Sequence, residues 1–95
     1  MTLYKSVNPD TECDFYTGKI CYKDGATIKP TTFDPDPKRE CGDGLHLSPT
    51  PEMALSYNTG KIKVCEVAIK DIVVHKHNIT KVRCAKVKVI GDYKP

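Results

Sequence analysis

No stretch of this 95-residue chain is apolar for long enough to cross a bilayer, and its first ten residues, MTLYKSVNPD, lack the apolar core of a secretion signal. A cytoplasmic location is therefore the expectation, and no membrane partner is expected. Aromatic residues are few, at 7% of the chain, and none falls between Lys61 and Ile90. Base stacking on that stretch is excluded, so a nucleic acid held there would be held by its backbone charge alone. Paired ligands at the spacings of structural zinc sites are missing too: seven residues stand between Cys13 and Cys21, and four between Cys41 and His46. His75-Lys76-His77 offers two ligands at most, and no native metal site is expected. The chain has no internal repeat and no low-complexity segment.

What is present suits one globular domain over residues 1–95. A hydrophobic share of 39% beside 28% charged residues is ordinary, and at this length the core is adequate but not generous. Five cysteines leave one unpaired in any scheme of disulfides. Without a secretion signal they are expected as reduced thiols, with Cys65 and Cys84 acting as small buried hydrophobes inside strand-like runs. Charge divides along the chain: six Lys/Arg against nine Asp/Glu up to residue 60, then eight against two from 61 to 90. A basic half can form a surface for nucleic acid or an acidic protein, and lysines on strand faces also discourage edge-to-edge association.

The organising stretch is Cys41 to Tyr57, CGDGLHLSPTPEMALSY. Two glycines, Gly42 and Gly44, allow a tight turn or a close approach without a Cβ penalty. Leu45-His46-Leu47 alternates as a half-buried strand does. Thr50-Pro51-Glu52 then starts a helix with a hydroxyl cap, a proline in the first turn and a carboxylate near the positive end of the dipole. Asn58-Thr59-Gly60 ends it. Around this unit, Leu3 to Val7 reads as a first strand and Phe15 to Tyr22 as a weak second one broken by Gly18. Lys23-Asp24-Gly25 leads by a hairpin into a short strand through Ile28. Residues 30–40 hold three prolines and form a loop. Lys61 to Ile69 is apolar on both faces, which places it inside a sheet. Lys70-Asp71 turns the chain into Ile72 to His75. Lys81 to Ile90 is the last and longest strand, with a bulge expected near Cys84-Ala85 where its phase slips. The fold expected is α+β: a mainly antiparallel, split sheet of about six strands covered by one short helix.

The leucines beside His46 turn its imidazole away from the core, where it can meet a ribose or phosphate and exchange a proton, making it the candidate catalytic group. Ser48 falls on the same face and either contacts a ligand or caps a helix beginning at Pro49. Tyr57 is either a core aromatic with a polar tip or a stacking surface. Lys5 and Arg83 suit anions, Arg through its planar fork, although both alternate with apolar neighbours as solvated strand residues do.

The order of these motifs resembles a small uncharacterised domain family of phage and bacterial proteins. The shared pattern is Tyr4-Lys5, Cys41-Gly42-Asp43-Gly44-Leu45-His46, Ala54 to Tyr57 and Lys81 to Cys84. It is distantly similar to ADP-ribosyltransferase-like domains, which cradle NAD in the cleft of a split sheet. That resemblance implies a cleft lined by Tyr4, Lys5, Gly44, His46, Ser48 and Tyr57, with Arg83 and Lys5 on phosphate and NAD or ADP-ribose as possible cofactors. The late-strand glutamate of catalytic members has Ile79-Thr80-Lys81 in its place here. The resemblance therefore favours nucleotide binding, or an RNA 2′-phosphotransferase-like variant relying on Lys, Arg and His, over glutamate-assisted transfer. The rival expectation is a non-enzymatic interaction module that uses its basic C-terminal strands.

Overall fold

The computed structural model of the chain describes residues 1–37, 43–75 and 80–94. Expectations resting on Cys41-Gly42, on residues 38–40, on residues 76–79 with His77 and on Pro95 lie outside the described residues. Within them the order is β1 (Thr2–Val7), β2 (Thr27–Ile28), β3 (Leu45–Leu47), α1 (Pro51–Tyr57), β4 (Lys61–Glu66), a 3-10 turn (Ile69–Asp71), β5 (Ile72–Val74), β6 (Val82–Cys84) and β7 (Val87–Asp92). The class is α+β, with antiparallel pairing and one helix, but the strands form two sheets rather than one. A four-stranded sheet runs β1-β4-β7-β2, and a three-stranded sheet runs β3-β6-β5. No described helix is long and apolar enough to cross a membrane.

The split follows from residues 81–90. They were expected as one bulged strand, yet they serve both sheets. Cys84 pairs with Leu45 and Ile72 in the small sheet, whereas Val87 and Val89 pair with Ile28 and Cys65 in the large one. Between them the Ala85 amide leaves the ladder and donates to the Asp71 carbonyl at 2.8 Å. The phase slip at Cys84-Ala85 is therefore a crossing between sheets. The register shift of the large sheet lies in β4, between Val64 and Cys65. Among the described residues, the sheets are stitched where Tyr4 and Ser48 exchange amide-to-carbonyl bonds, each 2.8 Å long.

The core fills the angle between the sheets. Leu3, Val7, Leu45, Leu47, Cys65 and Cys84 are all essentially inaccessible, as the alternation of their strands requires. Cys65 and Cys84 sit there as free thiols, and burial pushes both up to about 12. β4 lies inside its sheet, between β1 and β7. Helix α1 begins as its sequence dictates, with the Thr50 hydroxyl accepting from the Met53 amide at 3.2 Å and Pro51 in the first turn. Thr50, not Ser48, therefore caps it; the Ser48 backbone is engaged with β1.

Two further expectations are corrected between β1 and β2. Residues 15–22 do not form a strand. The buried Asp14 carboxylate accepts from the Thr17 amide at 3.0 Å, from the Thr17 hydroxyl at 2.7 Å and from the Ile20 amide at 3.1 Å. This side-chain cage offers the backbone a turn in place of a ladder, and Gly18 completes it with φ of 69°. The turn brings Cys13 against Cys21, and the pair expected as reduced thiols is joined by a disulfide across an antiparallel bridge.

Candidate functional site

Where the sheets diverge from their Tyr4–Ser48 junction they leave a cavity of about 590 Å³. β1 contributes Tyr4 and Lys5, β3 and its flanks contribute Gly44, His46 and Ser48, and the end of α1 contributes Tyr57. The six residues come from three separate parts of the sequence. Gly44 has φ of 149°, and a Cβ there would lie 2.5 Å from the Arg83 Cγ and 3.1 Å from the Phe33 ring. A glycine is needed because the cavity wall packs directly on these two side chains.

Arg83 does not line the cavity. It faces His46 across the β3–β6 pair, is 3% exposed, and its Nη1 donates to the carbonyls of Asp34 and Asp36. Its guanidinium thereby ties β6 to the proline-rich loop. Among the described residues, the cavity is also lined by the cation Lys81. That ammonium lies 5.7 Å from the centroid of the Tyr57 ring, whose hydroxyl bonds the Thr80 hydroxyl.

Lys5 shares the inner face of β1 with Leu3 and Val7, so its stem is buried and its ammonium reaches the cavity. Nζ donates to the His46 carbonyl at 2.9 Å and lies 5.9 Å from the Tyr22 ring centroid. Desolvation lowers its affinity for a proton below that of an ordinary lysine; Asp14 acts against this, and Lys81 adds to it. For Asp14 burial pushes the other way, but the Thr17 and Ile20 hydrogen bonds hold its carboxyl below the usual range. Burial pushes the Tyr22 phenol upward, so it stays protonated as a donor. The cavity therefore combines two ammonium groups, an imidazole-bearing strand, a caged carboxylate, hydroxyls and aromatic rings. That inventory suits a ligand with an anionic group and a polar or aromatic body.

Sequence reasoning missed Asp14, Tyr16, Thr17, Tyr22 and Lys81, all of which line the cavity. Tyr16, Thr17 and Tyr22 stand on the segment read as a strand, and Asp14 immediately precedes it. The spacing of Asp14 and Thr17 was the available signal, since such pairs commonly form side-chain turns.

A second charged cluster lies elsewhere. Lys63 of β4 is fully buried; its Nζ is 2.6 Å from Glu12 and from Asp92, and it also contacts Asp24. The three carboxylates come within 4.8 Å of one another, as metal ligands would, but the ammonium already supplies their positive charge. Lys61 adds contacts to Glu12 at 3.3 Å and Asp92 at 3.0 Å. Two lysines of the basic C-terminal half are thus neutralised within the fold.

No curated protein matches the chain, and neither does any solved structure. A family model does match, over residues 1–94, and the chain accordingly belongs to the family described as Domain of unknown function (DUF7666).

Proposed function

We propose that the cavity between the sheets recognises a nucleotide-like or phosphate-bearing ligand, on a scaffold that works in the manner of ADP-ribosyltransferase-like domains. NAD and ADP-ribose are the first ligands to test. The observation that carries the reading is the convergence of Tyr4, Lys5, Gly44, His46, Ser48 and Tyr57 on one cavity that also holds Lys81. Lys5 and Lys81 would meet the phosphate, and His46 would orient or protonate a ribose oxygen. A partly desolvated ammonium binds an anion more strongly than a solvated one, because less water must be displaced and less screening intervenes. The reading requires no glutamate, which suits recognition or phosphotransfer rather than transfer of ADP-ribose.

The interaction-module alternative has weaker support, since Lys61 and Lys63 are committed to carboxylates. Backbone amide shifts followed during titration with NAD, ADP-ribose and a short RNA separate the two. The expected result is a cluster of shifts at Tyr4, Lys5 and residues 44–48 with ADP-ribose. Silence there would remove the cavity reading, and shifts with RNA confined to β4 and β7 would favour the module.

A further inference from the structure

The chain has five tyrosines, and four of them, Tyr4, Tyr16, Tyr22 and Tyr57, line the one cavity. The fifth, Tyr93, packs edge-on against Tyr4 with ring centroids 5.7 Å apart. Their depths differ. Tyr22 is 1% exposed, Tyr57 is 44% exposed and Tyr16 is 97% exposed. A ring left almost wholly in water is ordinary on a loose tail, but Tyr16 does not stand on one. Its segment is closed by the Cys13–Cys21 disulfide and by the Asp14 cage, with the Asp14 amide donating to the Ile20 carbonyl at 2.8 Å. A short, cross-linked turn thus holds a large flat apolar surface in water at the rim of the cavity, where it adds nothing to the core. The other exposed tyrosine of the cavity, Tyr57, already has the Lys81 ammonium over it.

We infer that Tyr16 is the platform on which the flat heteroaromatic ring of the ligand stacks, so that the cavity takes a nucleoside phosphate rather than a bare sugar phosphate. The inference rests on the cavity reading above and adds the class of ligand to it. The anionic end meets Lys5 and Lys81, and the base lies against the Tyr16 ring. Because the backbone of the turn is already ordered, only the side-chain rotamers of Tyr16 lose freedom when the ring is covered. Every base has a π-face, so Tyr16 selects for the presence of a base and not for its identity. Stacking on one aromatic side chain is worth about tenfold to a hundredfold in affinity.

The test compares adenosine monophosphate with ribose 5-phosphate, the same sugar phosphate without its base, by calorimetric titration of the full chain. The wild type is expected to bind the first probe at least about tenfold more tightly. Tyr16→Ala should lose that advantage while binding ribose 5-phosphate unchanged, and Tyr16→Phe should keep it. Tyr16 touches so little of the protein that both variants should melt with the wild type. If Tyr16→Ala binds adenosine monophosphate like the wild type, or weakens both probes equally, the stacking role is overturned and the cavity reading survives. If the wild type binds neither probe, both fall.

Discussion

Gly60→Ala is expected to lose a large part of the stability of the fold. Gly60 stands between the end of α1 and the start of β4, and a Cβ there would lie 2.2 Å from the Val7 carbonyl oxygen and 2.7 Å from the Phe15 ring. The Phe15 ring is half-exposed and can swing aside, but the Val7 oxygen cannot yield cheaply. The Val7 oxygen is backbone at the end of β1, where Val7 pairs with Lys61. The Gly60 amide meanwhile donates to the Ser6 hydroxyl at 3.0 Å, and that hydroxyl donates to the Asn58 carbonyl at 2.6 Å. Moving Gly60 away to admit a methyl group breaks this relay and opens the β1–β4 ladder from its end. Overpacking commonly costs about 1–3 kcal/mol, and a clash against backbone belongs at the top of that range. For a domain of this size about 3 kcal/mol lowers the melting midpoint by roughly 12–24 °C. A thermal melt within a few degrees of wild type would show that the packing is looser than described.

Lys63→Met is expected to produce the second largest effect, and one that depends on pH. Glu12 follows β1, Asp24 precedes β2 and Asp92 ends β7, so the Lys63 ammonium ties three distant parts of the chain to β4. Removing it leaves three carboxylates crowded together with Lys61 and Lys23 as their cationic neighbours. A fully buried pair broken in this way is strongly destabilising, but Asp24 is 65% exposed and Asp92 37%, so water screens part of the repulsion. A fall of about 10 °C in the melting midpoint is the expected size.

The hydrogen bond from Lys63 is the main reason the Glu12 carboxyl is held down, from 4.5 to about 2. Because the folded value is depressed, this contribution is complete above about pH 4.5 and is lost as pH falls through about 2. For Lys63 itself burial works against the ammonium, yet the bonds to Asp24, Asp92 and Glu12 raise its proton affinity above the ordinary 10.5. That share is complete below pH 10.5 and is lost only as pH rises through the raised value. Denaturant unfolding of wild type and Lys63→Met should therefore differ most near neutrality and converge from about pH 4.5 towards 2. A difference that stays constant over that range would mean that the ammonium contributes through packing alone.

The parts of the fold that were legible from sequence are those set by local chemistry. Leu3, Lys5 and Val7 alternate, Leu45 and Leu47 bracket His46, and Thr50-Pro51 caps a helix, so β1, β3 and α1 follow from neighbours a few residues apart. The apolar residues on both faces of β4 likewise foretold an interior strand. What was not legible depends on contacts distant in sequence. A one-residue slip of phase at Cys84-Ala85 reads the same whether a strand bulges or crosses to another sheet. Only the pairing of Cys84 with Ile72 and of Val87 with Ile28 distinguishes the two. Arg83 alternated like a residue free to reach an anion, and nothing near it in sequence announced Asp34 and Asp36 as its partners. Tyr16 belongs to no periodic pattern, so its place at the cavity emerges only once Asp14 folds the turn.

The claim on which the account depends is that an anion enters between the two sheets beside Lys5. The most direct measurement is a crystal structure of the chain grown with ADP-ribose. The account predicts density in the cavity, with a phosphate oxygen within hydrogen-bond distance of the Lys5 or Lys81 ammonium. An occupied ligand on the outer faces of β4 and β7, with the space between Tyr4, His46 and Tyr57 left to water, would contradict it.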